Sequence, residues 1–167
     1  MTERLWSPWR MEYILSDKEK GHCIFCEAIA QDRDEENLVL YRGKHAFIIL
    51  NLYPYNNGHL MVVPYEHVPS TEDLDPEVLT ELMLLVNKSL QLLRKVMSPQ
   101  GFNIGINMGA PAGAGIQDHV HVHVVPRWTG DTNFMPVLAA TRVVPELLAQ
   151  TYAKMRDALK ETEQEAE

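Results

Sequence analysis

A chain of 167 residues, 46% hydrophobic and 23% charged, has enough apolar side chain for one domain with a substantial core. Its formal net charge of −8 argues against non-specific binding to a nucleic-acid polymer, which needs a basic face, while allowing a small anion held by local dipoles. No apolar run approaches the roughly 18 residues of a membrane span, and the N-terminus lacks a signal-peptide pattern, so a cytoplasmic protein with no membrane partner is expected.

Residues 1–20 hold Leu5-Trp6-Ser7-Pro8-Trp9-Arg10, with two of the three tryptophans. They read as a strap across the domain or a partner subunit, with base stacking as the functional alternative. The domain proper is expected over residues 21–159 and a solvated acidic tail over 160–167. Cys23 and Cys26, the only cysteines, form a C-x-x-C, which in a reducing compartment points to metal or redox chemistry. His22 beside them reads as incidental, and His45 as structural. Residues 31–37 read as a charged surface connection. Strands are predicted over 38–41, 45–51 and 58–64, on the apolar and β-branched runs Phe47-Ile48-Ile49-Leu50 and Leu60-Met61-Val62-Val63. Asp75-Pro76 opens a long helix, with Asp as N-cap and Pro in the first turn. Its apolar stripe is Leu79, Leu82, Met83, Val86, Leu90, Leu93 and Met97. Leu84, Leu85 and Leu92 widen that stripe toward a second partner surface, consistent with a homodimer. A strand over 102–107, a histidine-rich strand and a helix over 145–159 complete a β-β-β-α-β-β-α order. The fold class is α+β, with about five strands in a mostly antiparallel sheet.

The histidine-rich strand reads His119-Val120-His121-Val122-His123-Val124-Val125 and follows a glycine-rich loop over 109–115. Strict alternation is the strand period, so the three imidazoles share one face about 7 Å apart while the valines enter the core. Imidazole both attacks phosphorus and moves protons near neutral pH, so neighbouring rings can act as nucleophile and as proton donor to the leaving group. Backbone N–H groups of a glycine-rich loop can approach phosphate oxygens, although such a loop also serves as a plain hairpin turn. Three histidines are also a known catalytic zinc set, an alternative in which the rings themselves hold the metal and against which the cysteine pair and the glycine-rich loop weigh.

These residues resemble the histidine triad (HIT) family of nucleotide hydrolases and transferases, whose signature is His-φ-His-φ-His-φ-φ with φ apolar. The resemblance runs from the C-x-x-C through Asn51, Gly58-His59-Leu60, Asn107 and Val124-Val125-Pro126-Arg127-Trp128. The Leu-Trp-Ser-Pro-Trp-Arg start and the segment after Pro126 are similar to the bacterial diadenosine tetraphosphate phosphorylase branch. It implies a HIT-like fold and a covalent nucleotidyl group on His121, formed by attack on the α-phosphate of a dinucleoside polyphosphate. His123 would hold the phosphate and assist the leaving group, His119 would belong to the relay, and His59 would support the triad by hydrogen bonding. Asn51 would contact the ribose, and Asn107 with Gly113, Ala114 and Gly115 the phosphates. Trp128 would lie near phosphate or base, with core packing as its alternative. Branch members often carry Gly-Ser where this chain has Ala114-Gly115, which removes one hydrogen bond to an incoming phosphate, about 1 kcal/mol.

For the cysteine pair, metal-bearing relatives imply a structural zinc held by Cys23, Cys26, His67 and His119. A redox pair and a metal-free buried pair are the other readings. A nucleoside phosphoramidate hydrolase is the same-class alternative to dinucleoside polyphosphate cleavage. A non-catalytic nucleotide-binding or metal-binding protein is the alternative from a different class. The enzymatic reading requires His121 to be an unprotonated ring outside any metal's ligand set.

Overall fold

In the computed structural model, which describes residues 23–131 and 146–164, the elements are α1 (Ile24–Ala30), β1 (Val39–Arg42), β2 (Ala46–Leu50), β3 (Leu60–Pro64), α2 (Pro76–Met97), β4 (Gly101–Ile106), β5 (Val122–Arg127) and α3 (Leu148–Gln164). Single 3-10 turns lie at Thr71–Asp73 and Ala110–Ala112. The sheet order is β1-β2-β3-β5-β4, and every neighbouring pair is antiparallel. This is the α+β architecture expected, with one addition. The short helix α1, N-capped by Cys23, has too few turns for its period to stand out in the sequence. The tryptophan-bearing strap over 1–20, His22 and the start of the final helix at Pro145 lie outside the described residues. Helix α3 continues past Leu159 to Gln164, into the segment read as a tail.

Strands β2 and β3 are buried along their whole length, because both sheet faces are covered. On one face Leu40, Ile48, Leu50, Leu60 and Val62 meet α2 and α3 through Leu82, Val86, Leu93, Tyr152 and Met155. On the other, Val39, Phe47, Ile49, Met61 and Val63 meet Phe25 and Ala28 of α1. The buried seam of α2 is Val78, Leu82, Leu85, Val86, Ser89, Leu92 and Leu93. It is rotated from the predicted stripe: Leu79, Met83 and Leu84 are exposed, whereas Leu85 and Leu92 are core. With three and four both valid helical steps, a leucine-rich helix offers two overlapping stripes, and only the sheet selects between them. Asp75 occupies the N-cap position but makes no side-chain capping bond.

The ladder of β5 starts at Val122, so His119 and His121 precede it and only His123 lies within the strand. The alternation nevertheless holds across that boundary. Val120, Val122 and Val124 join the α2-side core, and His123 pairs with Met61 on the opposite face. Pro126 is tolerated in β5 because β3 pairs only as far as Val124. Its carbonyl accepts from Asn56 Nδ2 on that unpaired side, so the missing N–H interrupts no ladder bond.

Candidate active site

In register across the sheet lie Val39, Ile49, Met61, His123 and Gly105. This row, with Phe25 above it, forms the apolar surface beside the imidazoles. The His121 and His123 rings are 4.7 Å apart between centroids and nearly perpendicular, at 78°. Phe25 meets both His119 and His121, at 5.3 and 5.0 Å.

Hydrogen-bond partners assign a distinct proton position to each ring, since a carbonyl can only accept and a backbone N–H can only donate. His121 Nδ1 lies 2.9 Å from the carbonyl of His119, so Nδ1 carries the proton and Nε2 keeps its lone pair. The Tyr55 N–H donates to His59 Nδ1 at 3.0 Å, which leaves the proton of a neutral His59 on Nε2. That Nε2 donates to His123 Nδ1 at 3.0 Å, so His123 in turn carries its proton on Nε2. Tyr55 also stacks on His59 at 4.9 Å, and Asn51 Nδ2 approaches His59 Nδ1 at 3.2 Å. His119 Nε2 donates to the Pro64 carbonyl at 2.9 Å, which leaves Nδ1 as its lone pair. Adjacent rings thus offer one basic nitrogen and one N–H, the pair a displacement at phosphorus can use.

A cavity of about 450 Å³ opens against these rings. His121, His123, Asn51, Gly113 and Gly115 all line it, together with Phe25, Ile49 and Met61. His121 is only 4% exposed, so access to it runs through this cavity. Burial pushes its pKa below the ordinary imidazole value, opposed by the bond to the His119 carbonyl, and this favours the neutral ring. Gly113 adopts the left-handed region at φ 85°, where a side chain would be strained, as it turns the loop backbone onto the cavity wall.

The remaining predicted residues take other places. His59 is fully buried behind His123, and Ala114 is buried beside the wall. Asn107 and Trp128 are half-buried and do not line the cavity. The Trp128 N–H donates to Asp131 Oδ2, part of a brace in which Asp131 also receives Arg127 and Asn56. Sequence reasoning missed Tyr55, which contributes a backbone N–H with no side-chain signature and a ring stacked on His59. Residues 31–37 are the surface connection expected, with none of them buried, but Gln31, Glu36 and Asn37 also line the cavity, which composition did not signal.

Cys23, Cys26, His67 and His119 converge at the base of this arrangement, their ligating atoms all within 4.8 Å of one another. Cys23 Sγ lies 3.2 Å and Cys26 Sγ 3.7 Å from His119 Nδ1, and Cys26 Sγ lies 3.4 Å from His67 Nδ1. Two thiols and two imidazole nitrogens are a donor set that suits a tetrahedral soft-to-borderline cation. The Pro64 bond to His119 Nε2 turns Nδ1 toward the thiols, the usual outer-shell support of a ligating histidine. Burial, with Cys23 as neighbour, pushes the Cys26 thiol up to about 11. His121 is outside this group; His119 reaches it through its backbone carbonyl, while the His119 ring faces the cysteines.

An antiparallel α+β domain with paired imidazoles against a nucleotide-sized cavity defines the class. Residues 32–130 match the HIT domain family, and the chain belongs to that family. It is 44% identical over 156 residues to AP-4-A phosphorylase of Mycobacterium tuberculosis, covering 89% of this chain and 80% of that protein. It is 43% identical over 93 residues to the asymmetrical bis(5'-nucleosyl)-tetraphosphatase of Schizosaccharomyces pombe, covering 56% of this chain and 50% of that protein. The crystal structure of a Zn-bound histidine triad family protein from Mycobacterium smegmatis aligns with a TM-score of 0.67 at 27% identity, over 87% of this chain and 97% of that one.

Proposed function

We propose that this chain cleaves dinucleoside polyphosphates, diadenosine tetraphosphate foremost, at the α-phosphate through a nucleotidyl group carried on His121. The observation that carries this reading is the opposite protonation of two neighbouring rings, 4.7 Å apart between centroids, with a lone pair at His121 Nε2 and an N–H at His123 Nε2. His121 Nε2 attacks the α-phosphorus, the N–P bond forms, and the bond from that phosphorus to the bridging oxygen breaks. The His123 Nε2–H donates a hydrogen bond to that oxygen as ATP departs as an anion. The acceptor then attacks the same phosphorus, the N–P bond breaks, and His121 Nε2 recovers its lone pair. One hard displacement becomes two easier ones. Asn51 holds the ribose and His59 positions His123, while Gly113 and Gly115 shape the cavity wall, the N–H groups of Gly113 and Ala114 being bonded to the Ala110 and Gly109 carbonyls. No step is assigned to Asn107 or Trp128.

Similarity to AP-4-A phosphorylase supports orthophosphate as the acceptor. Product analysis tests this: phosphorolysis of diadenosine tetraphosphate yields ADP plus ATP and requires phosphate, whereas AMP plus ATP without phosphate means hydrolysis. Loss of turnover in His121→Asn with nucleotide binding retained is expected, and full turnover in that variant refutes the mechanism. Zinc is the proposed occupant of Cys23, Cys26, His67 and His119, where it is structural: four protein ligands close the site, and the ion supplies cross-linking of α1 to the start of the triad. We place the working protein in the cytoplasm as a homodimer. The support for pairing is the exposed apolar edge strand, with Ile104 at 47% and Ile106 at 38% exposure, next to Met108. Light scattering tests it, and a monomer at micromolar concentration rejects it.

A further inference from the structure

The loop over 31–37 stands at the far side of the cavity's sheet from His123. Strand β1, which the loop enters, lies three strand spacings from β5, about 14 Å. That is close to the reach of an extended nucleotide from its α-phosphate to the far edge of its base. Between them lie Asn51 at the end of β2 and the apolar surface of Ile49 and Met61. The loop is held firmly. Arg42 donates to the carbonyls of Ile29 and Gln31, each at 3.0 Å, and pairs with Asp34 at 2.7 Å.

Two amides on this loop are oriented without ambiguity. Asn37 Nδ2 faces the carbonyl of Ala28 at 3.3 Å, so that atom must be the nitrogen and Oδ1 the remaining acceptor. The same Nδ2 donates to Gln31 Oε1 at 3.1 Å, and Arg33 Nη2 donates to that oxygen at 2.9 Å. Gln31 therefore presents its Nε2 donor. Neither Gln31 Nε2 nor Asn37 Oδ1 has a partner among the described residues, and both residues line the cavity.

Resting on the nucleotide reading above, we propose that Gln31 and Asn37 select the base, reading the donor–acceptor edge of adenine in preference to guanine. The 6-amino group donates to Asn37 Oδ1, and a ring nitrogen accepts from Gln31 Nε2. Adenine offers this pattern on both of its polar edges, through N6 with N1 or through N6 with N7. Guanine presents O6 where adenine has its 6-amino group and N1–H where adenine has the N1 acceptor, so in the same pose an acceptor meets Asn37 Oδ1 and a donor meets Gln31 Nε2.

Affinity for AMP and GMP, measured by calorimetry on the full chain, tests the base pocket without turnover. The expected results are AMP binding tighter by about tenfold or more in the unmodified protein, near-equal affinities in Gln31→Leu, and reversal in favour of GMP in Gln31→Glu. In Gln31→Glu two acceptors face the N1–H and 2-amino donors of guanine, while the bonds from Arg33 and Asn37 are kept. Equal affinities in the unmodified protein, or an unchanged preference in both variants, overturn the proposal. A retained AMP preference without cleavage of diadenosine tetraphosphate sinks the catalytic reading and leaves base selection standing. Cleavage without base preference does the reverse.

Discussion

Replacing His59 by Phe separates the tautomer chain from the rest of the site. The substitution keeps a ring of similar shape against Tyr55, 4.9 Å away, in a fully buried position. It removes the acceptor of the Tyr55 N–H and the donor to His123 Nδ1, both at 3.0 Å. An unsatisfied buried group costs about 1–3 kcal/mol, and Tyr55 and His123 are half-buried, so the lower part of that range applies to each. The sum is about 2–3 kcal/mol, a fall in melting temperature of roughly 4–12 °C for a domain of this size. The diagnostic readout is nitrogen NMR of labelled histidine. In the unmodified protein His123 should carry its proton on Nε2 and His121 on Nδ1. In His59→Phe the His123 signals should move toward a mixed tautomer, since a net hydrogen bond of about 1 kcal/mol sets only a several-fold ratio. His121, held by the His119 carbonyl, should not change. A His123 proton on Nδ1 in the unmodified protein, or a His123 tautomer indifferent to the substitution, refutes the reasoning.

Three further outcomes are expected. Because burial holds the His121 pKa below the ordinary 6.5, kcat/KM should stay level from neutral pH down past 6.5 and fall only as pH drops through that lowered value. The same sign governs folding: below 6.5 the unfolded chain binds the proton that buried His121 resists, so stability declines toward acid, and a rise in stability there contradicts the assignment. Cys23→Ser should bring zinc content toward zero by elemental analysis, and metal should be released as pH falls, because protons compete for thiols whose metal-free form is held up to about 11 at Cys26; undiminished zinc rejects the ligand set. Gly58→Ala should destabilise by about 2–4 kcal/mol in urea unfolding, since Gly58 sits at φ 76° and a Cβ there would approach Met97 Sδ to 2.5 Å. Adding Met97→Ala should recover part of that loss, and a change within 0.5 kcal/mol or so for Gly58→Ala alone shows that the backbone there relaxes freely.

Much of the site was legible because its residues carry period or spacing. Alternation at 119–125 put the valines into the helix-side core and His123 opposite them, even though regular pairing starts only at Val122. The two cysteines advertised themselves by spacing, and the resemblance supplied His67 and His119, which the fold brings within 4.8 Å. The rotated seam of α2 was not legible, since Leu79, Met83, Leu85 and Leu92 are chemically equivalent until a sheet lies under one set. Nor was the cavity-lining role of the surface loop over 31–37, where charged composition signalled solvent and gave no sign that half-buried Gln31 and Asn37 border the site.

The amino-acid order alone determined which side chains share a face, because a strand's period of two is a local property of the backbone. Which nitrogen of His119 and of His123 bears the proton was decided only by tertiary structure, whereas His121 and His59 take theirs from neighbours two and four residues away. The deciding partners of His119 and His123 are the Pro64 carbonyl and the His59 ring, 55 and 64 residues away along the chain and brought up by the pairing of antiparallel strands. A hydrogen bond acts over about 3 Å, so the chemistry of the site did not exist until the fold closed that distance.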